Sequence, residues 1–134
     1  MRFRVKQLPK ILIIHLKRFS YNGTKLKNAV NFDEEIQIDA EYLALDKSMY
    51  HRQDQITKEI NHVYRLYAII IHEGYSTSRG HYYTYIKNQD NKLWYKYDDD
   101  VVKPVGTDLS SVKRSTSNAY ILFYKKFHLE PDNE

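Results

Sequence analysis

Residues 81–98, HYYTYIKNQDNKLWYKYD, predict a β-hairpin around which the remaining strands can be placed. Both arms are rich in Tyr, Trp, Ile and Thr, residue types that suit a pleated, half-buried surface. The four residues between the arms, NQDN at 88–91, are polar turn formers, as a hairpin connection requires. Two neighbouring antiparallel strands are therefore expected in this part of the chain.

The register of this hairpin decides whether an imidazole meets a carboxylate. If Lys87 and Lys92 close the loop, Asp98 lies directly opposite His81, and directly opposed Cβ atoms are about 4.5–5.5 Å apart. A slip of one residue would instead bring Asp99 opposite His81 and exchange the faces of one arm. An imidazole held by a carboxylate is the base half of a nucleophilic triad, whereas a surface His–Asp pair is the structural alternative.

The segment before His81 is EGYSTSRG, residues 73–80, and it contains two of the four glycines in the chain, Gly74 and Gly80. Glycine permits positive φ and the close approach of another backbone. We expect a mobile loop hinged at both glycines, which suits the edge of a substrate channel. An ordinary connecting loop with glycine at its turns is the alternative.

The whole pattern predicts an α+β fold that is mostly β, with a mainly antiparallel sheet of about six strands. Residues 10–18 form an apolar run that is typical of a strand covered on both faces. A strand that starts at Val101 should stop at Pro104, and Thr107 or Asp108 should cap a short helix. Further strands are expected at residues 28–32, 35–39, 63–73 and 118–125.

Two stretches lack the pattern of a regular element. Residues 44–62 are polar without sustained periodicity and are interpreted as a variable insertion. Residues 127–134 end in Pro, Asp, Asn and Glu and are expected to fray.

The amino-acid composition argues against several classes of protein. The net charge is +4, but the Lys and Arg residues are scattered, which favours solvated faces over a nucleic-acid surface. Tyrosines that stack on single-stranded nucleic acid are an alternative, although their alternation with apolar residues favours packing. No cysteine is present, which excludes disulfides and thiolate metal sites. The apolar runs are too short to span a membrane, and an intracellular setting in cytoplasm or nucleus is expected.

Three blocks occur in an order that matches the signatures of one enzyme family. They are LPKILIIHLKRF at 8–19, HEGYSTSRGHY with WYKYDDDVV at 72–102, and NAYILFY at 118–124. They resemble the ubiquitin-specific proteases, papain-like cysteine proteases that cleave after the C-terminal glycine of ubiquitin. The resemblance implies that His81 is the general base, Asp98 its orienting partner and Asp99 an auxiliary acid.

The same resemblance implies which residues would bind the substrate. Phe19 and Tyr82 would be walls of a narrow channel for the ubiquitin tail, and Gly74 and Gly80 would flank the loop above it. Residues 1–126 would form the C-terminal part of a papain-like catalytic domain. The implied partners are ubiquitin or ubiquitinated proteins, with no cofactor or metal.

The absence of cysteine is the main departure from the family. The family's nucleophile lies in an N-terminal box, beside an Asn or Gln that helps form the oxyanion hole, and neither is found in this sequence. We therefore expect the Cys-bearing N-terminal segment to be missing, and this chain alone to be inactive. The alternative is a non-catalytic ubiquitin-binding or scaffold module.

Overall fold

A computed structural model of the protein describes residues 4–38, 62–113 and 117–127. The elements in chain order are strands β1 (Ile11–His15), β2 (Glu35–Ile38), β3 (His62–Ser76), β4 (Arg79–Lys87), β5 (Trp94–Asp98) and β6 (Val101–Gly106), helix α1 (Ser110–Lys113) and strand β7 (Ala119–Phe127).

These strands form one sheet in the order β1-β7-β3-β4-β5-β6, with β2 paired beside the first half of β3. Every pairing is antiparallel. The predicted fold, mostly β with a mainly antiparallel sheet and little helix, is confirmed. The central strand β3 is long enough to pair with β2 and β4 in succession along one edge, so it links the two halves of the sheet.

The first strand differs from its prediction, because it is covered on one face only. Ile11 and Ile13 are 39% and 57% exposed, whereas Leu12 and Ile14 pack against the core. Successive side chains of a strand point to opposite faces, so Leu12 and Ile14 face the core while Ile11 and Ile13 lie on the uncovered face. The expected strand at 28–32 is also absent from the described residues, where this segment has no regular structure.

Proline does not stop the strand after the acidic turn, in contrast to the prediction. β6 continues through Pro104 to Gly106. Since β6 is the other edge of the sheet, its proline can point its missing N–H away from the ladder. The predicted helix cap is confirmed, because the Asp108 carboxylate accepts a hydrogen bond of 2.8 Å from the Ser110 amide.

The core is built from the large side chains of β3, β4, β5 and β7. Trp94, Tyr64 and Tyr124 are among its largest fully buried members. The Tyr124 hydroxyl donates to the Asp33 carbonyl at 2.7 Å, and burial raises the pKa of this phenol to about 12. This packing fixes the central strands, from which the candidate site projects.

Two sequence predictions fall largely outside the described part of the chain. Of the insertion predicted at 44–62, only His62 is described, and it begins β3. Of the tail predicted at 127–134, only Phe127 is described, and it ends β7. Within the described ranges, no helix has the length and apolar character needed to cross a membrane.

Candidate active site

The hairpin of β4 and β5 forms, but its register is shifted by two residues from the predicted one. Lys87 pairs with Trp94 rather than with Lys92. The direct opposition of His81 and Asp98 was therefore wrong. Because the shift is an even number of residues, both side chains stay on the face where they were expected.

The loop chemistry explains the shift. The connection spans residues 88–93 and closes with a hydrogen bond of 2.8 Å from the Asn88 amide to the Leu93 carbonyl. The Asn88 side-chain oxygen accepts from the amides of Asp90 and Asn91, at 2.9 and 3.1 Å. Lys92 adopts a left-handed conformation with φ of 62°. These bonds stabilise a longer loop than the four polar residues suggested.

The two candidate side chains nevertheless meet. His81 Nε2 is hydrogen-bonded to Asp98 Oδ1. They are diagonal neighbours across the strands, a separation of about 7–8 Å that long side chains can still bridge. The side chains of His81 and Asp98 are 48% and 30% exposed, so the pair lies at the surface. The other imidazole nitrogen of His81, Nδ1, does not take part in this bond and can bind another group.

Asp99 joins the pair, although strand alternation predicted that it would face away from Asp98. β5 ends at Asp98, and Asp99 takes a left-handed φ of 52° that an aspartate tolerates in a turn. The polar atoms of His81, Asp98 and Asp99 lie within 4.8 Å of one another. His81 and Asp98 are bonded to each other, and Asp98 also pairs with the Lys96 ammonium, so we assign no metal ion to this group.

The contact between His81 and Asp98 shifts the pKa of both side chains. The hydrogen bond to Asp98 raises the pKa of His81, and the carboxylates of Asp98, Asp99 and Glu73 add to the effect. The bonds from His81 and Lys96 lower the pKa of Asp98. Asp98 is therefore held ionised, as a group that orients an imidazole should be.

We expect the Asp98→Asn substitution to lower the pKa of His81 towards its ordinary value of about 6.5. A raised His81 pKa means that the pair's stabilisation is complete below the unfolded-state pKa. It is lost as pH rises through the folded-state pKa. Titration of the His81 Cε1–H signal by NMR measures this shift. Asp100→Asn is the matched control, and equal shifts in both variants would contradict the specific role of Asp98.

The glycine-bracketed segment is a tight strand connection and not the mobile loop that was expected. β3 runs to Ser76 and β4 starts at Arg79, which leaves two residues for the turn. Gly74 and Gly80 are paired across the strands. A Cβ on Gly74 would overlap the Arg79 carbonyl oxygen, and a Cβ on Gly80 would overlap His72 Nε2. The glycines therefore permit close approach rather than act as hinges.

The tip of this connection is anchored to the loop after β1. The Lys25 amide donates to the Tyr75 carbonyl at 3.1 Å, and Thr24 forms an isolated bridge with Ser76. The buried Lys25 ammonium bonds the Asn118 side chain at 2.8 Å and the His72 carbonyl. These contacts hold the tip beside the neighbouring strands.

Three of the four residues assigned to substrate binding, Phe19, Gly80 and Tyr82, converge around one buried imidazole. His72 is 1% exposed, and its ring lies 5.3 Å from the Phe19 ring and 4.7 Å from the Tyr82 ring. Gly80 provides the space beside it. Tyr82 is 49% exposed and so presents this cluster to solvent. Neither nitrogen of His72 has a hydrogen-bond partner, and burial lowers the pKa of this imidazole, which favours its neutral form.

A family model described as ubiquitin carboxyl-terminal hydrolase matches residues 2–124. The chain belongs to this family. The resemblance seen in the three sequence blocks is thereby confirmed, and the protein is a fragment of a ubiquitin-specific protease catalytic domain.

Curated relatives agree with this assignment. Ubiquitin carboxyl-terminal hydrolase 24 of Arabidopsis thaliana is 35% identical over 126 residues, covering 92% of this chain and 20% of the relative. Ubiquitin carboxyl-terminal hydrolase 12 of Salmo salar is 31% identical over 137 residues, covering 92% of this chain and 33% of the relative. The chain therefore spans a third or less of the length of these relatives.

A solved structure has the same fold. A chain in the structure of the SAGA Ubp8/Sgf11/Sus1/Sgf73 DUB module matches with a TM-score of 0.66 and 26% identity. The match covers 92% of this chain and 25% of that one. The sheet described above thus corresponds to about a quarter of that chain, 25% of its length.

Sequence reasoning missed two residues of the site. His72 was noted only as part of a motif, although strand alternation places it on the same face as its cross-strand partner Tyr82. Lys96 was not singled out, yet its ammonium lies 3.0 Å from Asp98 Oδ2. Its position two residues before Asp98 on β5 was the available signal, since such residues share a face.

Concave surface is found both beside the pair and away from it. A cavity of about 380 Å³ adjoins Asp98 and is lined in addition by Lys96 and Lys103. A second, of about 400 Å³, is lined by Lys87 at the opposite end of β4 from His81. We place the candidate site at the first cavity because Asp98, the carboxylate bonded to His81, lines it.

Proposed function

We propose that this chain is the base-bearing part of a ubiquitin-specific protease, in which His81 accepts a proton from a cysteine thiol. This sequence contains no cysteine, so the cysteine would come from a segment outside it. The hydrogen bond between His81 Nε2 and Asp98 Oδ1 carries the proposal. It leaves Nδ1 as the nitrogen that can take the proton.

In this reaction the thiolate attacks the carbonyl carbon of the C-terminal glycine of ubiquitin. The imidazolium of His81 then gives its proton to the leaving amine, and a thioester to ubiquitin remains. Water, deprotonated by His81, hydrolyses the thioester and releases ubiquitin. Asp98 stabilises the imidazolium in both halves of the reaction, and Asp99 adds negative charge nearby.

The substrate side of the proposal is a narrow channel. The ubiquitin tail ends in two glycines, so a passage bordered by Tyr82 and Phe19 can admit it and exclude bulkier tails. The contacts of both rings with buried His72 support this assignment, because they fix the walls in place. The close pairing of Gly74 and Gly80 keeps the neighbouring hairpin compact.

The isolated chain is expected to show no turnover of a fluorogenic amide at the C-terminus of ubiquitin. An imidazole and a carboxylate without a nucleophile lack covalent catalysis. The measurement is the rate of fluorophore release with purified chain compared with buffer. Turnover that disappears in the His81→Ala variant would reveal another nucleophile in the chain and contradict this expectation.

A chimera tests the catalytic role itself. Residues 2–124 replace the matching segment of ubiquitin carboxyl-terminal hydrolase 24 of Arabidopsis thaliana. We expect the chimera to cleave the ubiquitin amide and to lose this activity when its thiols are alkylated. A folded chimera that binds ubiquitin without cleaving it would instead support the non-catalytic ubiquitin-binding alternative.

A further inference from the structure

The hydrogen bond between His81 and Asp98 joins diagonal neighbours of the sheet. This geometry alone does not fix the orientation of the Asp98 carboxylate. A directly opposed pair is held by the ladder itself, whereas diagonal neighbours must reach across about 7–8 Å. Asp98 is also the last residue of β5, next to the turn at Asp99. One hydrogen bond to one carboxylate oxygen leaves the other oxygen, and rotation about the side chain, to be fixed by another group.

The Lys96 ammonium binds that second oxygen. Its Nζ lies 3.0 Å from Asp98 Oδ2, while Oδ1 faces His81. In the described part of the chain, Lys96 is the lysine that forms an ion pair with Asp98. The two side chains are two residues apart on β5 and share a face, so the contact forms within one strand. Asp98 is thereby held from both sides.

Lys96 is itself held by a buried neighbour. Its ammonium lies 3.9 Å from the centroid of the Tyr83 ring, a distance at which a cation is attracted to the ring face. Tyr83 is 5% exposed, and its hydroxyl donates to the Glu73 carboxylate at 2.8 Å. The Lys96 side chain is 31% exposed, so its charge is partly shielded from solvent. This support fixes the direction from which the ammonium approaches Asp98.

We propose that Lys96 is a positioning residue that holds the Asp98 carboxylate in the orientation that binds His81. Its importance for proteolysis rests on the proposed function, whereas its effect on the His81–Asp98 bond can be measured in the isolated chain. The Lys96 ammonium pairs with Oδ2 and His81 with Oδ1, so Lys96 orients the carboxylate without competing for the oxygen that binds the imidazole.

NMR on the isolated chain tests the proposal through the His81 imidazole. Two quantities are measured: the rate at which the Nε2 proton exchanges with water, and the pKa of His81. In Lys96→Met we expect exchange to become about tenfold faster, as the loss of a bond to a charged group implies. We also expect the His81 pKa to fall. Lys96→Arg should retain both wild-type values, because arginine can supply the same charge-assisted bond.

The direction of the pKa change separates positioning from simple charge removal. Loss of a nearby cation alone would raise the His81 pKa, since a like charge disfavours the imidazolium. Loss of the Asp98 orientation lowers it. A Lys96→Met chain with a raised His81 pKa and unchanged exchange would overturn the proposal.

Lys103→Met is the matched control. Lys103 lies opposite Lys96 on β6 and lines the same cavity as Asp98. Equal effects of the two substitutions would overturn the proposal, as would a wild-type chain whose Nε2 proton shows no protection. If Lys96→Met unfolds the chain, Lys96→Gln carries the same test. An inactive chimera with intact His81 protection would contradict the proposed function but leave the positioning role standing.

Discussion

Replacement of His81 by alanine is expected to lower kcat/KM of the chimera by about 10²–10⁴-fold, the range for loss of a general base. Asp98 is not expected to take over, because its bond to Lys96 remains in this variant, lowers its pKa and makes it a poor proton acceptor. Ubiquitin affinity should change little, since the aromatic walls around His72 remain. The measurement is fluorophore release from the ubiquitin amide, with affinity followed separately by titration of labelled ubiquitin.

His15→Ala is the control for this experiment, because it removes an imidazole from exposed edge strand β1. It should leave kcat/KM near the wild-type value. Retention of most activity in His81→Ala would contradict the assignment of His81 as the base. Equal losses of ubiquitin binding and of turnover would point to a structural role.

The Gly74→Ala substitution is expected to destabilise the fold by about 2–6 kcal/mol, the sum of overpacking and an unfavourable φ. The added Cβ would overlap the Arg79 carbonyl oxygen and lie 2.7 Å from the Gly80 Cα. Gly74 also has a φ of 148°, which alanine rarely adopts. Urea unfolding measures the effect as a lower midpoint at an unchanged slope.

Gly106→Ala separates the two contributions. Gly106 has a similar φ of 136°, but a Cβ there would meet nothing within 4 Å. Its substitution should therefore cost only the backbone strain, about 1–3 kcal/mol. If both variants lose the same stability, close approach of the two strands at Gly74 does not contribute, and the interpretation of the glycine pair is wrong.

The hairpin of β4 and β5 shows what local sequence rules can predict and what they cannot. Alternation and turn composition predicted two antiparallel arms, and they placed His81 and Asp98 on one face. The same rules did not predict the register. The hydrogen bonds of Asn88 and the left-handed conformation of Lys92 stabilise a longer loop. An even shift preserves the faces, so the contact could form even though the predicted register was wrong.

The glycine-bracketed segment illustrates the opposite case. Two glycines close together suggested hinges, but their role depends on what lies across the strand. Gly80 makes room for the buried imidazole of His72, and Gly74 for the backbone of Arg79. Such neighbours become visible only once the strands are paired.

Residue identities and strand patterns were enough to predict the family, the antiparallel strands and the face on which the candidate base and acid lie. These properties follow from residue identity and from the two-residue period of a strand, which are local. Four further features became known from the folded chain: the diagonal contact, the approach of Asp99, the burial of His72 and the ion pair from Lys96. Those depend on loop hydrogen bonds, on a left-handed turn residue and on packing between strands, which the strand period does not specify.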